Sequence, residues 1–433
     1  MKKLFLLDAG VLTLNKKEKN LYFLLLIFFF SLYMPGISWL YNVCMWLFFV
    51  YSLFFNSFSE KWMLLKERKE IIFILSFFLL NFLSAISSEN TKEGIAFVGF
   101  RISLLIIPLA IGTVYINNIL KERLIFGFAF ATFYAAIISL AWGFWRALKN
   151  NDWSLSYNDN LSEVLNLQSI YFAMLVNLAI FSFLFLLMKN SVLINKNSIL
   201  PVLAILLITH FLLASRVAII ILYSSVFIFA ILYFITKKKI LEGVTLIMGL
   251  LLAGFLLVKF FPKTINRFKE LTYTKFDYRS TAKESHFNVA LTPEQWNGAN
   301  IRIAVWQCAW TEIKSNVLFG TGLGDKMDQL KKQYAKKGFL FGIKTNRNVH
   351  NNYLDIWMSM GLIGLTIFLL GFILLPLFHC LKTNDWYGII IIIGFTFSLF
   401  VETYMDRTFG NTILAFFIAF VTSYKKTHPL ATY

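Results

Sequence analysis

The chain has 433 residues, of which 58% are hydrophobic and 18% aromatic, while only 15% are charged. A water-soluble domain of this length cannot hide so much apolar surface, so part of its solvent is lipid. The formal net charge of +18 fits cytoplasmic loops that collect Lys and Arg. No basic soluble domain stands apart from the apolar runs, which argues against nucleic acid as a partner.

The N-terminus does not read as a cleavable signal, because Asp8 interrupts its short apolar stretch and Lys16, Lys17 and Lys19 lead straight into a longer one. A spanning helix needs about 20 mostly apolar residues. Candidates in chain order are 20–35, 37–56, 71–88, 95–115, 123–146, 167–188, 198–214, 217–236, 242–261, 353–376, 386–402 and 409–424. The expected fold is therefore all-α, a polytopic membrane protein of about 12 transmembrane helices. Basic residues alternate between loops: Lys61, Lys66, Arg68 and Lys69; Lys121 and Arg123; Lys189 and Lys196; Lys237 to Lys239; Lys382; Lys425 and Lys426. That side is expected to be cytoplasmic, with both termini on it. The expected organisation is transmembrane helices over 1–262, an exported loop domain over 263–352, and the last helices and a cytoplasmic tail over 353–433.

The exported loop reads as mostly helical. Thr292-Pro293-Glu294-Gln295 has the form of a capping box with proline at the first helical position. Asn300 is expected to cap a helix over 301–316, which stops at Gly320-Thr321-Gly322-Leu323-Gly324, and a polar helix is expected over 325–337. The glycine run follows no strand, so a turn is expected there rather than a nucleotide loop. Cys44, Cys308 and Cys380 show no ligand spacing, so neither a metal site nor a required disulfide is expected.

Several charged residues sit where charge is costly. Arg216, in Ala214-Ser215-Arg216-Val217, occupies a tight turn between two spans. It is either a snorkelling interfacial arginine or an anion ligand at the outer face. Arg101 lies inside a helix and faces either an outward cavity or a structural ion pair. Arg302 and Trp306 share a helix face at i and i+4, where the indole can stack on the guanidinium unless the arginine is simply solvated. His350, one of five histidines, stands at the water–lipid boundary before a span. It is either a loop or capping histidine or a general base. Glu402, Asp406 and Arg407, in the last outer loop, either orient these groups or pair with one another.

The order Arg302-x3-Trp306, Phe319-Gly320-Thr321-Gly322-Leu323-Gly324, His350-Asn351-Asn352-Tyr353-Leu354 and Gly361-Leu362-Ile363-Gly364 resembles the O-antigen ligase and polymerase family of bacterial envelope glycosyltransferases. Ser215-Arg216 and Glu402 fit the same pattern. The stretch Asn166 to Tyr171 departs from it, with Gln168 near the position where the family pattern carries a histidine. The resemblance implies a twelve-helix enzyme of the bacterial inner membrane with its large loop in the periplasm. It would move a glycan from a polyprenyl diphosphate carrier to an acceptor hydroxyl. In a ligase the acceptor is lipid A–core; in a polymerase it is another carrier-linked repeat. The donor arrives activated, so no cofactor or metal is called for, and direct displacement inverts the anomeric carbon. The catalytic set is expected to be His350 as base with Arg216 and Arg302 on the diphosphate. Arg101, Trp306, Asn351, Glu402 and Arg407 are the expected substrate contacts. A relative that glycosylates proteins is a further variant. A lipid-linked glycan transporter is the alternative of another class, but no matched pair of interrupted helices marks an inverted repeat.

Overall fold

The computed structural model describes residues 14–37, 39–195, 198–237, 240–260, 264, 268–285 and 295–424. The expected capping box at Thr292, together with Lys196, Lys238, Lys239, Lys425 and Lys426, lies outside them. In chain order the helices are α1 (Lys16–Ser31), α2 (Leu40–Leu53), α3 (Phe58–Glu67), α4 (Lys69–Ile86), α5 (Thr91–Phe100), α6 (Ser103–Gly112) and α7 (Asn118–Asn150). They continue with α8 (Asp159–Ser162), α9 (Ser169–Met188), α10 (Ile199–Leu213), α11 (Arg216–Lys237) and α12 (Ile240–Phe260). The insertion supplies α13 (Asn300–Ser315), α14 (Lys326–Lys337) and α15 (Leu340–Lys344), and the chain closes with α16 (Asn352–Leu369), α17 (Leu375–Lys382), α18 (Trp386–Leu399) and α19 (Thr408–Thr422). Among the described residues there is no strand, and the all-α expectation holds.

Five segments are long and apolar enough to cross a bilayer: α4, Thr91–Gly112, α7, α9 and Asn352–Lys382. The pair α2 and α3 passes as a sixth, bent by 111°. The apolar helices α10, α18 and α19 are shorter than 18 residues. The chain is thus a multi-pass membrane protein. Length and composition carry five or six of the twelve expected crossings among the described residues. Helix starts follow local chemistry. Asn15 with Glu18 and Ser57 with Glu60 form capping boxes at α1 and α3.

The chain divides into two compact units, Met1–Cys44 with Asn118–Phe268, and Met45–Asn117 with Lys269–Tyr433. In the first, α1 lies along α7, and α9 packs on α7, α10 and α11. Tyr33 Oη meets Thr132 Oγ1 at 2.7 Å, and Asn177 Nδ2 donates to Ala218 O at 2.7 Å. Such buried polar groups need internal partners where water is absent.

In the second unit, α4 packs against α6 and α16, and α19 lies along α6. Arg68 gathers helix ends at one side, donating to Gly112 O, Val114 O at 2.9 Å and Ser423 O at 2.9 Å. Carbonyls left over at helix C-termini are natural acceptors for such a cation. The insertion builds its own apolar core from Trp296, Ile301, Val305, Leu330, Tyr334 and Phe339, and that core continues into Met358 of α16. Aspartate 325 ties the insertion to the α4–α5 turn, accepting from the amides of Glu89 at 2.9 Å and Asn90 at 2.8 Å.

Candidate active site

The site is built on α13. Asn297, not Asn300, accepts from its first amides: Asn297 Oδ1 receives Ala299 N at 2.8 Å and Asn300 N at 3.0 Å. The cap expected of Asn300 is therefore corrected; Asn300 is the first helical residue, and its side-chain amide donates to Gln295 O at 2.9 Å and Lys275 O at 3.2 Å. One turn along, Arg302 and Trp306 share a face as the spacing requires. Arg302 Nε donates to Val401 O at 3.3 Å and Nη1 to Gly298 O. Trp306 Nε1 donates to Val349 O at 2.9 Å, and its ring meets Phe400 edge-on at 5.3 Å. One helix face thus holds the residue preceding His350 and the residue preceding Glu402.

His350 Nδ1 lies 3.4 Å from Glu402 Oε2. The imidazole is 25% exposed and the carboxylate 8%, so solvent or a ligand reaches the histidine rather than the acid. The His350 backbone has φ of 47°, a left-handed conformation that a non-glycine residue adopts at a cost of about 1–3 kcal/mol and that clusters at functional positions. Asn348 holds this turn: its Oδ1 accepts His350 N at 3.3 Å, and its Nδ2 donates to Thr403 Oγ1 at 2.6 Å and Asp406 Oδ2 at 3.3 Å. Burial pushes the Glu402 carboxyl up, but the hydrogen bond and charge of His350, the Arg302 guanidinium and the Thr403 amide outweigh it. The net position lies below the ordinary glutamate value.

Beneath the site lies a buried charge network. Lys326 Nζ is 2.8 Å from Asp355 Oδ2 and 2.5 Å from Asp406 Oδ1. Arg101 Nη2 stands 3.8 Å from Asp355 and 3.6 Å from Asp406, Arg101 Nε donates to Met405 O at 3.1 Å, and Arg101 Nη1 donates to Asn81 Oδ1. Two cations and two carboxylates cancel, which is what permits such burial. Burial would raise Asp406, but Lys326 and Arg101 hold it below the usual carboxylate range.

Arg101 occupies the break between α5 and α6 and is fully buried in this network, the ion-paired state of its two open readings. Arg302, Trp306, His350 and Glu402 come together. Asn351 Oδ1 is used to cap α16, accepting Leu354 N at 3.1 Å, and Arg407 is exposed. Arg216 belongs to the other unit, as the first residue of α11 after Ala214 with φ of 51°, the tight turn expected from its sequence. The sequence reading missed Lys326, Asn348, Asp355 and Thr403. Asp355 alone carried a signal, an acid inside an apolar span. An open groove of about 820 Å³ lies along Glu89, Asn90, Asp328, Lys331 and Lys332, and His350 does not line it.

Residues 201–369 match the O-antigen ligase family model. An uncharacterized protein of Haemophilus influenzae is 30% identical over 126 residues, covering 25% of this chain and 30% of the relative. The chain thus spans about a third of that relative's length. The matched family stretch contains Arg216, Arg302 and His350, and over residues 201–369 this multi-pass membrane chain is similar to the O-antigen ligase family.

Proposed function

We propose that the protein is an O-antigen ligase-like glycosyltransferase of the bacterial inner membrane. It takes a glycan from a polyprenyl diphosphate carrier and passes it to a hydroxyl of lipid A–core at the periplasmic face. The observation that carries this reading is the grouping of an accessible histidine, a buried carboxylate and a carbonyl-anchored arginine beside one face of α13. Glu402 faces Nδ1, which leaves Nε2 to take the acceptor proton. The acceptor oxygen attacks the anomeric carbon, the bond from that carbon to the diphosphate oxygen breaks, and the configuration inverts. The leaving diphosphate gathers negative charge, for which Arg302 supplies a planar fork with two of its donors already fixed by backbone carbonyls. The part of Arg216 as a second cation rests on the sequence.

Reconstitution of the purified protein with a carrier-linked glycan tests this. Glycan transfer to lipid A–core is the expected outcome. Transfer only to a second carrier-linked repeat makes it a polymerase of the same family. Movement of the donor across the membrane without transfer to either acceptor sinks the enzyme reading. Sidedness is read separately. A label reaches Lys336→Cys from outside intact cells and does not reach Lys66→Cys; the reverse pattern overturns the orientation.

A further inference from the structure

The turn expected at Gly320 to Gly324 is wedged into a break in α16. At Gly361 the helix leaves helical geometry, with φ of 67° and ψ of −169°. The backbone groups released there are taken by the chain that follows α13. Leu362 N donates to Val317 O at 2.9 Å and Ile363 N to Leu318 O at 3.4 Å; Thr321 N and Gly322 N return bonds to Met358 O and Ser359 O at 2.9 Å each. A Cβ on Gly361 would collide with Leu318 O, and one on Gly320 with the Gly361 amide. Residues 317–322 therefore form a finger docked by main-chain bonds against a spanning helix.

The tip of the finger is apolar and uncovered. Val317, Leu318 and Phe319 are 41%, 56% and 76% exposed. Leu362 and Ile363, on the spanning helix beside it, are also exposed. Behind the tip, Trp357 Nε1 donates to Val317 O at 3.2 Å and Trp357 meets Trp310 edge-on at 5.4 Å. Lys314, three residues before Val317, is exposed.

Helix length places the finger in depth. Asn352–Lys382 has 31 residues, about 46 Å at 1.5 Å per residue, whereas the hydrocarbon core is about 30 Å. The run from Leu362 to Leu381 has only apolar or uncharged residues apart from His379 and by itself spans about 30 Å. Gly361 then lies near the edge of the hydrocarbon, and so does the finger bonded to it. Two tryptophans behind an apolar tip, with a lysine nearby, is the composition of an interfacial segment.

We infer that Val317, Leu318 and Phe319 enter the lipid of the leaflet facing the insertion and hold it down on the bilayer. The occupant of this surface is phospholipid, continuous with the lipid around Leu362 and Ile363. Because α13 runs directly into the finger, the anchor also fixes the far end of the helix that carries Arg302.

The test uses the full-length protein in phosphatidylcholine–phosphatidylglycerol vesicles. An NBD label is placed at Phe319→Cys, at Leu318→Cys, or at the exposed Lys336→Cys; the native Cys44, Cys308 and Cys380 are buried, and the unsubstituted protein supplies the background. Labels at 318 and 319 should emit at shorter wavelength than the label at 336. They should be quenched several-fold more strongly than it by doxyl-lipid, most by doxyl near the carbonyl end of the chain. Water-like emission without doxyl quenching at both finger positions overturns the inference. So does a blue shift that escapes doxyl and fades as the protein is diluted across vesicles, which would place a second copy on the finger.

Discussion

His350 Nδ1 faces Glu402 Oε2 at 3.4 Å across 52 residues of sequence. Each is held from behind by α13, through Val349 O to Trp306 and through Val401 O to Arg302. The pair is thus set by one helix face together with the loop-to-loop bonds of Asn348 to Thr403 and Asp406, which is how a scaffold gives connections a defined geometry.

Glu402 is held below the ordinary glutamate range, so it stays ionised throughout neutral pH. Its folded value is depressed, so the stability it contributes is present above the unfolded value of about 4.3 and is lost as pH falls through the lower folded value. Glu402→Gln should therefore flatten the acid end of the stability profile. His350→Gln should cost about 10²–10⁴-fold in turnover, whereas Glu402→Gln should lower turnover by less. Near-normal turnover in His350→Gln removes His350 as the base.

In the proposed reaction the arginines act on charge and shape together. Arg302→Ala and Arg216→Ala should each remove most transfer at normal expression. Arg216→Lys should also fail substantially, since an ammonium lacks the bidentate fork. Transfer is followed by the gain in mass of the acceptor. Full activity in either alanine variant takes that arginine out of the reaction.

Stability rests heavily on the network beneath the site. Lys326 and Asp355 are fully buried, so Asp355→Ala leaves excess positive charge without solvent. It should cost about 3–5 kcal/mol. The double change Lys326→Met with Asp355→Leu should recover part of that loss, because matched apolar groups remove both desolvation costs. Thermal unfolding in detergent reads both, and an unmoved midpoint in Asp355→Ala contradicts the network's weight.

The break in α16 belongs to glycine. Gly361→Ala meets Leu318 O and a positive φ together, and should destabilise the second unit by about 1–3 kcal/mol from backbone strain alone. It should also undock the finger, so that a label at Phe319→Cys loses its lipid quenching in the same protein. Wild-type quenching and stability in Gly361→Ala would mean that the break tolerates a side chain.

The sequence determined whatever depends on local composition. Apolar length gave the membrane class, the polar stretch gave the insertion, and spacing placed α13 and α14 within a residue or so of their observed Asn300–Ser315 and Lys326–Lys337. Arg302 and Trp306 could be singled out by their i, i+4 spacing, His350 by its place before a span, and all three, with Glu402, by the family pattern they resemble. Tertiary structure alone decided what each of them faces. Lys326 read as one more residue of a polar helix and Asn348 as loop, until folding joined them to Asp355 and Asp406 from distant stretches. Gly361 stood inside the expected span 353–376 as part of a motif, and only the fold shows the 317–322 finger using the bonds released at its break. Buried charges and released backbone amides must find partners wherever the fold brings them, and those partners lie too far along the chain for any local pattern to name.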